Sequence, residues 1–227
     1  MRAGQARAAA TPCLLPRPTL LQFWDADVPD AVQPLLASVQ QHNPELDYRC
    51  FDDASASDFI ADGYGADIAT LYRSCAIPAM RSDLFRYCYL LQHGGFYVDA
   101  DYRCLAPIDE LLVAAPRAQL LLRKNGLANG MMYFATAQDP LMQRILDSAL
   151  ANIRARRSNN VWSVTGPSVL RRLHDDAATA ALFDGVDQVD EARFHRVFAS
   201  VPKLAYKERD DYWLNARRLG LSLFRDA

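Results

Sequence analysis

Residues 77–101 read Ile77-Pro78-Ala79-Met80-Arg81-Ser82-Asp83-Leu84-Phe85-Arg86-Tyr87-Cys88-Tyr89-Leu90-Leu91-Gln92-His93-Gly94-Gly95-Phe96-Tyr97-Val98-Asp99-Ala100-Asp101. Pro78 suits the first turn of a helix, where its missing N–H leaves no bond unmade, and Gly94-Gly95 suits the stop. The stretch therefore predicts a helix from Pro78 to His93. Phe96-Tyr97-Val98 follows as a short strand running into Asp99-Ala100-Asp101. The helix is largely apolar (Leu84, Phe85, Tyr87, Tyr89, Leu90, Leu91), yet Asp83, Arg86, Tyr87 and Leu90 share one face at i, i+3, i+4 and i+7. A carboxylate and a guanidinium in such a helix must be exposed, pair with each other or serve a polar ligand, because unpaired burial is costly.

Working outward, Thr19 to Trp24 reads as a buried strand that ends at Asp25-Ala26-Asp27-Val28-Pro29. Pro34 to Gln41 reads as a helix, Leu46 to Phe51 as a second strand, and Ser57 to Ile60 as the start of another helix. Downstream, Gln119–Leu122 and Gly130–Phe134 read as strands and Pro140–Arg156 has helical spacing. Thr165-Gly166-Pro167 opens a helix around Ser168–Leu173. Alternating elements without repeats predict an α/β domain with a mainly parallel or mixed sheet over 19–227. Residues 1–18, rich in Ala, Arg and Pro and free of acidic residues, read as a flexible N-terminal tail.

The composition, 51% hydrophobic and 23% charged over 227 residues, is that of a globular protein with a sizeable core. A net charge of -2 supplies no overall positive field for nucleic acid or an anionic membrane. The cysteines (Cys13, Cys50, Cys75, Cys88, Cys104) are odd in number and lack a C-x-x-C, which disfavours a disulfide framework or a zinc ribbon and predicts reduced, mostly buried thiols. His42, His93, His174 and His195 show no ligand spacing. No apolar run approaches the roughly 20 residues of a transmembrane helix, so a cytoplasmic protein is the expectation.

Asp99 and Asp101, at i and i+2 on the end of an apolar strand, face the same way and can hold a hard divalent cation. Mn²⁺ and Mg²⁺ prefer oxygen and are commonly shared between protein carboxylates and substrate phosphates, which points to a nucleotide diphosphate as the missing ligand. The carboxyl ends of strands are also where open α/β sheets bind ligands. Asp-x-Asp alone is weak, and Asp25-Ala26-Asp27 is a second instance.

The compound pattern is far more specific. Ser82-Asp83-x-x-Arg86-Tyr87-x-x-Leu90-x-x-x-Gly94-Gly95-x-Tyr97-x-Asp99-x-Asp101 resembles the signature of the DXD-containing sugar transferases of glycosyltransferase family 32 and the related domains of large clostridial glucosylating toxins. The resemblance implies a GT-A fold, a Rossmann-like mixed sheet flanked by helices, and retaining transfer of a hexose from a UDP- or GDP-sugar. It implies that Asp101, assisted by Asp99, holds Mn²⁺ or Mg²⁺, and that Asp83, Arg86, Asp99 and Asp101 form the catalytic set. Ser82, Tyr97 and Asn129 would join the donor pocket, with Trp24 stacking on the base. The C-terminus departs from the family pattern: Tyr206-Lys207 and Asp210-Asp211-Tyr212-Trp213 stand where many members carry a His-x-Trp cluster. There Asp211 is a candidate oxygen ligand, Lys207 a phosphate contact and Trp213 a lid, against a charged, solvated helix start.

The expected function is thus a metal-dependent glycosyltransferase acting on a glycan, lipopolysaccharide or protein acceptor, with polysaccharide assembly as the setting and a secreted effector as the less favoured one. The alternatives are a degenerate sugar-nucleotide binding module and a Mg²⁺-dependent phosphohydrolase with Asp99 as nucleophile. The phosphohydrolase is disfavoured because such enzymes carry the pair on the first strand.

Overall fold

A computed structural model of the chain describes residues 17–112 and 116–225. The tail expected over 1–18, Cys13 included, lies outside the described residues as far as residue 16. Strand β1 (Leu20–Phe23) leads through α1 (Gln33–His42) to β2 (Tyr48–Phe51), then α2 (Asp53–Tyr64), α3 (Ala66–Ser74), α4 (Pro78–His93), β3 (Gly95–Val98) and β4 (Tyr102–Cys104). The second half runs β5 (Ala118–Arg123), β6 (Gly126–Phe134), α5 (Pro140–Arg154), α6 (Val161–Val164), α7 (Pro167–Asp175), β7 (Val186–Asp190), α8 (Glu191–Val197), β8 (Phe198–Ser200) and α9 (Trp213–Leu219).

Six strands form one mixed sheet in the order β2-β1-β3-β6-β5-β7. Strands β2, β1 and β3 are parallel, β6 runs antiparallel to both its neighbours, and β7 is parallel to β5. The period of two along β3 divides the core: Tyr97 belongs to the cluster that holds the buried side chains of α2, α4 and α5, while Phe96 and Val98 belong to the one that holds Val39 of α1 and Phe198 of β8. Helix α4 is buried continuously from Met80 to Leu91, as a helix apolar on nearly all sides must be. Its bounds match the reading from Pro78 and Gly94. The two glycines are required: at Gly94 (φ 71°) a Cβ would lie 2.8 Å from the Phe134 carbonyl oxygen, and at Gly95 (φ 114°) 2.8 Å from that of Thr19. The chain therefore turns tightly against the sheet and feeds α4 directly into β3. Cys75, Cys88 and Cys104 are buried free thiols, and Cys50 is a free thiol at the surface.

Helix α2 starts at Asp53, four residues before the expected Ser57, and boundaries of β3, α5 and β6 also differ from the sequence reading. Strand β3 ends at Val98, so Asp99, Ala100 and Asp101 lie in the turn toward β4 and the turn, rather than strand alternation, aims the two carboxylates. Helix α5 stops at Arg154, just before Arg156 takes a left-handed φ of 44°. Strand β6 starts at Gly126, four residues before the expected Gly130, because it accommodates an irregularity that the Asn-Gly pair marks. Between Leu120 and Leu121 the register on β6 steps from Met132 to Ala128, leaving Asn129, Gly130 and Met131 without counterparts on β5. Such bulges re-aim side chains beside functional sites. This one lies beside the exit of β3, where the Asp99 N–H donates to the Gly130 carbonyl at 2.9 Å.

Candidate functional site

A cavity of about 620 Å³ opens at the carboxyl ends of β1 and β3, over the first half of α4. Trp24, Asp83, Arg86, Asp99, Asp101 and Asn129 all line it. Its floor is a fully connected polar network. The Arg86 guanidinium lies 3.2 Å from Asp83 Oδ1 and 3.1 Å from Asp99 Oδ1, and it also donates to the Ser82 carbonyl, the Ser82 hydroxyl and the Asn129 carbonyl. Asp83 accepts in addition from Asn129 Nδ2 and from the Thr165 hydroxyl, each at 2.8 Å. Asn129 Nδ2 has its second N–H on the Tyr87 hydroxyl, which donates to the Thr165 carbonyl. The intrahelical ion pair and the cavity wall are therefore the same residues.

Strand β3 completes the floor. Tyr97 is buried beneath the Arg86 guanidinium, 4.0 Å from ring centroid to Cζ, and its hydroxyl donates to Asp99 Oδ1 at 3.1 Å. The Ser82 hydroxyl lies 2.9 Å from the Tyr97 hydroxyl and accepts from Arg86, so a chain of polarised bonds runs from Arg86 through Ser82 and Tyr97 to Asp99. Burial pushes the Asp99 carboxyl up to about 6; Arg86 pulls it down, while the Asp101 and Asp83 charges reinforce the rise. Burial likewise raises Asp83, against the attraction of Arg86 and the hydrogen bonds from Thr165 and Asn129.

The roof comes from the far end of the chain. Strand β8 pairs with β4, placing Ser200 opposite Tyr102, and the segment that follows returns over Asp101. There Tyr206 donates to Asp101 Oδ2 at 3.0 Å and Lys207 Nζ lies 2.8 Å from the same oxygen. Trp24 is buried, its ring 4.9 Å from that of Tyr206 and at right angles to it, and its indole N–H has no hydrogen-bond partner. Asp25 sits between Arg81 at 4.0 Å and Arg209 at 3.7 Å, whereas Asp27 is exposed in the turn.

Asp211 lines the same cavity, but both its oxygens are engaged by Arg209 at 2.9 and 2.7 Å. Among the described residues no three His, Cys, Asp or Glu side chains converge into a metal-ligand group. Asp99 and Asp101 nevertheless supply the hard oxygen donors that Mn²⁺ and Mg²⁺ take, and one or two carboxylates suffice when phosphates complete the shell. The donor chemistry at the cavity mouth fits such an ion. Several lining residues carried no sequence signal: Trp162, whose ring lies 5.5 Å from that of Trp213 and tilted to it; Arg171, whose guanidinium sits over the Trp162 ring at 5.4 Å; and Arg123, which bonds the Tyr102 hydroxyl. Scattered on separate helices and strands, they are joined only by the fold.

The architecture and this cavity define a GT-A glycosyltransferase fold. In solved structures it is matched by the PaToxG glycosyltransferase (TM-score 0.51, 16% identity, 93% of this chain and 90% of that one). It is also matched by the ligand-free glycosyltransferase domain of the YGT toxin (TM-score 0.53, 10% identity, 81% of each). Residues 29–117, which hold α4, β3 and the Asp99/Asp101 turn, match the family model described as the glycosyltransferase sugar-binding region containing DXD motif. The sugar-binding region of the DXD-containing glycosyltransferases is thus recognisable in this chain over those residues. The chain is 30% identical over 165 residues to the inositol phosphoceramide mannosyltransferase 3 of Schizosaccharomyces pombe, covering 69% of this chain and 46% of that protein. It is also 30% identical over 125 residues to the mannosyl phosphorylinositol ceramide synthase CSH1 of Saccharomyces cerevisiae, covering 53% and 32%. The chain thus spans less than half the length of these curated relatives. Among the described residues no helix is long and apolar enough to cross a membrane.

Proposed function

We propose that the chain is a metal-dependent, retaining glycosyltransferase that moves a hexose from a nucleoside diphosphate sugar to a hydroxyl acceptor. The observation that carries this reading is the convergence on one cavity of the Asp99/Asp101 pair, the Trp24 ring and the buried Asp83–Arg86–Asn129 network. Asp101, with Asp99 beside it, would hold Mn²⁺ or Mg²⁺, which when bound supplies electrostatic stabilisation of a diphosphate leaving group.

The chain's own groups do the rest. Trp24 offers an apolar wall for a base, and its unpartnered indole N–H is available to a polar ligand atom. Arg86 fixes Asp99 from beneath, and the Ser82–Tyr97 relay holds the same carboxylate from the side, so its orientation is set before a donor enters. Asn129, with both amide hydrogens engaged, locks Asp83 in place at the cavity floor. Asp83, wholly occupied by Arg86, Asn129 and Thr165, is a poor covalent nucleophile, which favours attack by the acceptor on the same face from which the diphosphate departs. The named activities of the curated relatives favour mannose as the hexose and a polyol phosphate headgroup as acceptor; Arg123, Lys124 and Arg171 on the cavity rim suit an anionic acceptor.

The test is NMR-monitored hydrolysis of a panel of UDP- and GDP-sugars by the purified chain, with Mn²⁺ and with chelator, since water can replace the unknown acceptor. Chelator-sensitive cleavage of one donor with retention at the anomeric carbon is the expected result. Donor binding without cleavage would mark a sugar-nucleotide binding module instead, and absence of binding would remove the donor-site reading.

A further inference from the structure

The carboxylate read as the metal holder already carries a cation of the chain's own. Lys207 Nζ is 2.8 Å from Asp101 Oδ2 and also donates to the Val201 carbonyl at 3.2 Å, while the Tyr206 hydroxyl donates to the same Oδ2. The two charged side chains are only 22% and 23% exposed, so solvent screens the pair less than it would a surface contact. The contact is built into the fold. The β4–β8 ladder pins Ser200 beside Tyr102, the residue after Asp101. Buried Leu204 anchors the segment, the Lys207 N–H closes a turn on the Leu204 carbonyl, and Tyr206 packs its ring on Trp24. No freely swinging surface lysine is so constrained.

An ammonium at hydrogen-bond distance neutralises the carboxylate charge that a divalent ion needs, so the two compete for one carboxylate. A diphosphate changes the balance because it offers Lys207 another anion and offers a metal ion further oxygens. We propose that Lys207 is a resident counter-cation of Asp101: it holds the divalent ion's place while the donor site is empty and transfers its charge to the diphosphate when a nucleotide and its ion arrive. This rests on Asp101 being the metal-holding carboxylate. The consequence is strong coupling, in which metal and nucleotide each bind weakly alone and tightly together, by the same factor in either order.

Mn²⁺ binding to the full chain, followed by water-proton relaxation with no nucleotide and then with UDP or GDP, tests it without recourse to turnover. Lys207→Met is expected to bind Mn²⁺ alone at least tenfold more tightly than the unaltered chain, and to gain correspondingly less Mn²⁺ affinity when nucleotide is added. Lys207→Gln repeats the measurement with a polar side chain in case the apolar one disturbs the segment. Adding Asp101→Asn to Lys207→Met should abolish the gain. Equal Mn²⁺ affinity in the unaltered chain and both Lys207 variants, with Asp101→Asn still removing nucleotide-supported binding, would overturn the counter-cation role and leave Asp101 as the metal carboxylate. No Mn²⁺ binding by any protein under either condition would overturn both.

Discussion

Replacing Asp83 separates hydrogen-bond geometry from charge in the cavity floor. Its side chain is 8% exposed and accepts from Arg86, Asn129 and Thr165. Asp83→Ala removes all three acceptor contacts and leaves a buried guanidinium with one carboxylate, Asp99, in place of two. Breaking a buried ion pair costs about 3–5 kcal/mol. Because Arg86 keeps Asp99 at 3.1 Å, the lower half of that range, roughly 3–4 kcal/mol, is expected. Asp83→Asn preserves shape and an acceptor oxygen while removing the charge, whose burial is unfavourable enough to raise the carboxyl's pKa despite Arg86. The loss of attraction and the relief of desolvation then oppose each other, and the Asn variant should lie within about 1 kcal/mol of the parent. In urea, with an m-value of about 2–3 kcal/mol/M for a chain of this size, the Ala variant's midpoint should fall by roughly 1–2 M and the Asn variant's by under about 0.5 M. A folded-state pKa above the unfolded value means that ionised Asp83 weakens the fold. The parent's disadvantage is absent below the unfolded value near 3.8 and grows as pH rises through the folded value, so Asn should gain relative to Asp in that direction. Equal destabilisation by Asn and Ala would refute the reasoning, because charge rather than geometry would then hold the floor together.

At Gly130 a Cβ would stand 2.6 Å from Asp99 Oδ2, so Gly130→Ala must push that carboxylate about 1 Å off its Arg86 and Tyr97 partners. Donor cleavage should drop about 100-fold while the urea midpoint moves by less than that of Asp83→Ala, a split readable from kinetics and unfolding on the same preparation. Outside the cavity lining, the two-pronged bond from Arg193 holds the Asp187 carboxyl below its usual value, with Gln119 assisting. That contribution is present above the unfolded value near 3.8 and is lost as pH falls through the depressed one. Asp187→Asn should therefore cost about 1 kcal/mol at neutral pH and flatten the acid limb of the stability curve between about pH 4 and 2. An unchanged acid limb would show that the pair does not stabilise the fold.

What was legible in the chain was what neighbours in sequence decide. Pro78 and the glycine pair bound α4 because they act locally through φ and a missing N–H, and the face of Asp83, Arg86 and Tyr87 follows from helical spacing alone. The direction of β6 and the bulge at Asn129–Met131 were not legible, because they arise where β3 and β5 compete for the same strand. Asn129 was found by resemblance, yet its work, locking Asp83 with both amide hydrogens, needed the bulge to be seen. The roof was the least legible part. Lys207 was marked as a phosphate contact, but nothing in a linear reading joins it to Asp101, since the β4–β8 ladder that does so consists of two three-residue strands with no alternation to detect.

That ladder also orders events in time. The floor of the cavity is centred on α4 and β3, which adjoin in the chain, with Asn129 and Thr165 joining from 46 and 82 residues away, whereas Tyr206 meets Asp101 across 105 residues. Closing so long a loop is entropically expensive until the core has formed, so the roof should be the last piece to dock during folding and the first to detach under native conditions. A nascent chain can accordingly bury its sheet and still lack a finished cavity until residue 207 has emerged. In amide exchange the β4–β8 pairing should then open in a cheaper step than β1 and β3, with the two aspartates exposed to solvent while the core stays shut.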